Sequence, residues 1–81
     1  MSDQATEFAR GAGPLPRGRY RVVVLSPGDR HSCTDFRRLA AARDHADDAA
    51  AEWSEAPILA YVLDHDFEIV HRGRPYFAGQ D

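Results

Sequence analysis

The chain of 81 residues contains one cysteine, no lysine, no asparagine and no apolar stretch of the roughly 18 residues that a membrane-spanning helix requires. Because Cys33 is the single thiol, a disulfide within the chain is excluded, and with it the stapled architecture of small secreted domains. No cationic start leads into an apolar run, so a cytoplasmic location without membrane insertion is expected. Phosphate-binding chemistry finds no support either. Gly11 and Gly13 precede Pro14, and no G-x-G-x-x-G follows a strand. Without a G-x-S-x-G elbow, nothing gathers the serines, histidines and aspartates into a triad. No cofactor is implied.

All ten basic residues are arginine, and the net charge is −3. That balance argues against a nucleic-acid partner, whose binding rests on neutralised phosphates. The charge is unevenly spread. Residues 1–43 carry eight arginines against Asp3, Glu7, Asp29 and Asp35, whereas residues 44–81 carry two arginines against nine acids.

Residues 1–18 are polar and broken by Gly11, Gly13, Pro14, Pro16 and Gly18, and are expected to form a flexible arm with at most a helical turn from Asp3 to Arg10. Residues 19–77 are expected to make one small domain, with 78–81 as a tail. The β-branched and aromatic run Arg19 to Leu25, closed by Ser26-Pro27-Gly28-Asp29, predicts a first strand. A loop through Arg30, His31 and Cys33 then leads to a helix capped by Ser32 or Thr34 and running to about Glu55. Phe36, Leu39, Ala42, Ala46, Ala49, Ala50 and Trp53 lie on its apolar stripe. Pro57 stops it. The runs Ile58 to Leu63 and Phe67 to Arg72, joined by Asp64-His65-Asp66, predict a hairpin, and Tyr76 and Phe77 are placed to cap a core edge. The expected fold is α+β, a two-layer β-α-β-β unit with a three-stranded sheet and one helix packed on one face.

Alternation across each strand leaves the sheet apolar on both faces. With the helix on the side of Val22, Val24 and Ile69, the other side presents Val23, Leu25, Tyr61, Leu63 and Val70, rimmed by Arg21, Glu68 and Arg72. The run from Ile58 to Leu63 is apolar throughout and is expected in the middle of the sheet. A contiguous apolar face inside a charged rim has the composition of a binding surface. Its alternative covers are the arm, the Tyr76-Phe77 tail, or a register displaced by one residue.

The predicted helix carries Arg37, Arg38 and Arg43 first and Asp44, Asp47, Asp48 and Glu52 later, opposing its dipole. Two such helices lying antiparallel would match Arg37 and Arg38 against Asp48 and Glu52, as a two-fold dimer requires.

Three constellations bear on chemistry. Asp64-His65-Asp66 holds ligand types for zinc or manganese but lacks further ligands, since His71 lies roughly 20 Å along the strand from His65. Cys33, beside Arg30 and His31 and before a helix, would be a nucleophile only with a fixed base and an oxyanion site. Tyr61 with Arg19, Arg21 and Arg72 would suit a stacked single-stranded nucleic acid, although one aromatic is few for that task. The expected function is therefore a non-enzymatic interaction module, an adaptor or inhibitor that docks a protein partner or forms a homodimer through the apolar sheet face.

Overall fold

The computed structural model describes residues 4–52 and 58–73. Strand β1 (Tyr20–Ser26) enters a 3-10 turn at Pro27–Asp29 and returns as β2 (Arg30–Phe36). Proline presets the first turn position, and Gly28 adopts φ +75°, a left-handed conformation that glycine takes without steric cost. The two strands pair antiparallel without interruption from Tyr20 opposite Phe36 to Ser26 opposite Arg30. The segment expected to be a loop and helix start is thus a strand. Its polar residues give no apolar alternation, so pairing with the strongly β-forming β1 decides its conformation.

Helix α2 (Leu39–Ala51) consequently begins later than expected, with Arg38 at its N-cap position and no side-chain cap, and Ser32 and Asp35 belong to β2 instead of a capping box. Glu52 is extended, with ψ 138°, and ends the helix before Glu55. Trp53, Pro57, Tyr76 and Phe77 lie outside the described residues.

Strand β3 (Leu59–Leu63) lies antiparallel to β1, and β4 (Ile69–Arg72) antiparallel to β3, giving the order β2-β1-β3-β4. The sheet is α+β as expected, with four strands in place of three. The expected central strand is interior but shares that position with β1. Because β2 and β3 flank β1 and run parallel, their link must cross the sheet, and α2 is that crossover. Its Ala42, Ala46 and Ala50 are buried against Val22, Val24, Ile58, Ala60 and Val62. Leu39, Ala49 and Phe36 pack at the margin, Phe36 now from β2.

Alanines bring helix and sheet into close approach, and Gly73 uses that proximity. A Cβ there would stand 2.6 Å from the Ala46 carbonyl oxygen, while the Gly73 amide donates to Ala60 at 2.7 Å.

The second face carries helix α1 (Gln4–Gly11), which buries Ala5 and Ala9 against Val23, Leu25 and Leu63. Phe8, Cys33, Tyr61 and Phe67 pack around them. A second helix therefore covers the face expected to be open. Its contact residues are two alanines one turn apart, too small to register as an apolar stripe, and the breakers that follow serve the chain reversal into β1.

Between Val62 and Leu63 the β3–β4 register shifts, so that Val62 opposes His71 while Leu63 opposes Ile69, leaving Val70 as the extra residue of a bulge. Ile69 accordingly shares the face of Leu63, not that of Val22. His71 keeps the α2 side, where its Nε2 lies 2.9 Å from Asp47 Oδ1.

Candidate protein interface

The structure divides the expected interface in two. Val23, Leu25 and Leu63 are buried beneath α1 and belong to the core. Arg21, expected on the rim, is 4% exposed. Tyr61 is half-buried, and Glu68, Val70 and Arg72 are exposed.

Arg21 is buried because strand register and helix position converge on it. It stands directly opposite Asp35, and its Nε and Nη2 donate to Oδ1 at 2.7 Å and Oδ2 at 3.0 Å, a bidentate pair. Nη1 donates to the carbonyls of Ala9 at 2.6 Å and Gly13 at 2.7 Å, with Nη2 3.4 Å from that of Pro14. Ala9 lies in the last turn of α1, at its negative pole, and its carbonyl also accepts from the Ala12 amide at 3.3 Å, whereas Gly13 and Pro14 belong to the segment that follows the helix. Hydrogen bonding to Arg21 holds the Asp35 carboxyl below the usual carboxylate range, and the same bond raises Arg21 further. Arg21 thus fastens α1 to the sheet.

What α1 leaves accessible is a strip along β3 and β4. Leu59 is 40% exposed, Ile69 37% and Val70 45%. Leu59, Tyr61 and Ile69 share the α1 side, since Leu59 opposes Leu25, Tyr61 opposes Val23 and Ile69 opposes Leu63. The Arg72 guanidinium sits 5.8 Å from the Tyr61 ring centre, and Arg10 of α1 sits 5.6 Å from that of Phe67. Leu59 and Ile69 were not among the expected contact residues. Alternation with Tyr61 signals Leu59, whereas the bulge that turns Ile69 leaves no trace in the sequence.

At the Asp64-His65-Asp66 turn, Asp64 Oδ1 accepts from the amides of Asp66 at 2.9 Å and Glu68 at 3.0 Å. The carboxylate organises the hairpin, in which Phe67 takes φ +62°. Among the described residues no three His, Cys, Asp or Glu side chains gather to hold a metal. Cys33 lies half-buried on β2 opposite Val23, away from any helix start, and burial pushes its thiol pKa up. The placement before a helix expected for Cys33 is therefore replaced by one on a strand.

Arg37 and Arg38 precede α2, Asp48 lies on it and Glu52 follows it. These charges, expected along one helix, thus lie at and beyond its two ends, with Arg37 and Arg38 before it and Glu52 after it. No described helix is long and apolar enough to cross a membrane. No protein-family model, curated protein or solved structure matches the chain.

Proposed function

We propose that this protein is a small non-enzymatic interaction module that docks a protein partner on the β3–β4 side of its sheet. The observation that carries this reading is the strip of Leu59, Tyr61, Ile69 and Val70, apolar side chains held on strands and left accessible after both helices are packed. Side chains fixed by a sheet lose little entropy on binding, so apolar area there is effective in association. Glu68 and Arg72 flank it and favour a partner with an apolar cluster bordered by charges of the opposite sign. A nucleic-acid role finds less support, because Arg21 is committed to Asp35 and α1.

The test compares immobilised wild type with the Ile69→Asp/Val70→Asp variant as bait in an extract of the source cells, each checked by circular dichroism. Expected is a protein retained by the wild type and lost with the variant, and hydrogen exchange of the complex slowed at residues 59–61 and 69–72. Equal retention by both baits, or protection elsewhere, would refute the reading.

A further inference from the structure

The two edges of the sheet are treated differently. Strand β4 has four residues and a bulge at Val70, devices that blunt an edge against pairing. Strand β2 has seven residues in unbroken register with β1, with no proline, glycine or lysine among them. Among the described residues, its outer edge is bonded to no other strand.

We propose that β2 is a homodimer edge, pairing antiparallel with β2 of a second copy about a two-fold axis at Cys33 to form a continuous eight-stranded sheet. The sequence Arg30-His31-Ser32-Cys33-Thr34-Asp35-Phe36 is self-complementary in that register. Arg30 meets Phe36 of the second copy on the α2 side, a cation and an aromatic ring. Ser32 meets Thr34, two hydroxyls able to bond each other. On the α1 side His31, whose ring packs edge-on against Phe8 and whose Nε2 lies 3.5 Å from Gln4, stands opposite Asp35, whose side chain is 41% exposed, an imidazole facing a carboxylate. Each pair occurs twice by symmetry. Centring the ladder one residue away, on Ser32 or Thr34, shortens it and loses all three pairs. Centring it between residues would set opposite faces against each other.

This edge is remote in strand order from the β3–β4 strip, so the pairing does not rest on the docking proposed above. Ser32 and Thr34 are exposed and serve as probes that leave the fold intact. Light scattering over a concentration series compares wild type, Ser32→Lys/Thr34→Lys, Ser32→Lys/Thr34→Glu and Val70→Asp, each first shown by circular dichroism to be folded. Twice the chain mass is expected for wild type. The double lysine variant, which sets like charges opposite twice, is expected to be monomeric. The lysine–glutamate variant, which sets its two introduced charges against each other only in the Cys33-centred register, is expected to be dimeric, as is Val70→Asp. A wild-type monomer at all concentrations, a dimeric double lysine variant, or a monomeric lysine–glutamate variant would each overturn the proposal. Dissociation by Val70→Asp alone would also overturn it, moving the interface to the opposite edge.

Discussion

Arg21 and Asp35 face each other across neighbouring strands at 2.7 Å, and the same guanidinium reaches the Ala9 carbonyl in the last turn of α1 and that of Gly13 just beyond it. One side chain thus couples the β1–β2 hairpin to the N-terminal helix. Residues far apart in sequence depend on it.

The pair makes stability pH-dependent in a defined direction. The folded pKa of Asp35 is lowered, chiefly by Arg21, so its contribution is complete above the ordinary carboxylate pKa of about 3.9 and disappears as pH falls through the lower folded value. Asp35→Asn should flatten the acid limb of stability below about pH 4, where urea titrations would register it. Because the side chain is 41% exposed, solvent screening limits the difference to about 1 kcal/mol or less.

Arg21→Met fills similar space but removes the side-chain donor from the Ala9 and Gly13 carbonyls and the partner of Asp35, at a cost of roughly 1 to 3 kcal/mol. Amide hydrogen exchange should show protection lost across residues 5–11 first, with β1 and β3 still protected. Arg21→Lys should behave similarly, since an ammonium has no planar fork for the bidentate contact. Release of α1 would also uncover Cys33, whose thiol is raised mainly by burial, and its reaction with a disulfide reagent at neutral pH should accelerate.

Gly73→Ala tests the fit of α2 against the end of β4. The added methyl would meet the Ala46 carbonyl oxygen at 2.6 Å and the Ala50 methyl at 3.1 Å, both on a helix that cannot move without disturbing its core. A loss of roughly 1 to 3 kcal/mol is expected in denaturant titration, as for other overpacked sites.

Asp64→Ala removes the acceptor of two amide hydrogen bonds in the β3–β4 turn. Each such bond contributes about 1 kcal/mol net, less where water can replace it. A fall in Tm of several degrees is expected, together with faster exchange of the Asp66 and Glu68 amides; Asp64→Asn, which retains an oxygen acceptor, should recover most of it.

Much of this architecture is legible in local patterns. Val22, Val24, Ala60 and Val62 alternate with Val23, Tyr61 and Leu63, which identifies two strands and their two apolar sides. The alanine stripe at Ala42, Ala46 and Ala50 identifies the helix that covers one of them. Asp64 marks the hairpin turn. These signals are local because side-chain alternation and helical spacing follow from backbone geometry alone.

Tertiary structure decided the rest. Strand β2 has polar residues that acquire strand conformation only by bonding to β1, and α1 has a contact face of Ala5 and Ala9 that gains its packing only where Val23, Leu25 and Leu63 already stand. Neither element announces itself, because hydrogen-bond pairing and close approach of small side chains depend on a neighbour distant in the chain. The bulge at Val70 likewise turned Ile69 toward α1, and Arg21 became a buried clamp once Asp35 and a helix terminus met at its position. Composition determined that both sheet faces needed cover; the three-dimensional arrangement decided that the N-terminal helix covers one of them and leaves the strip beside β4 accessible.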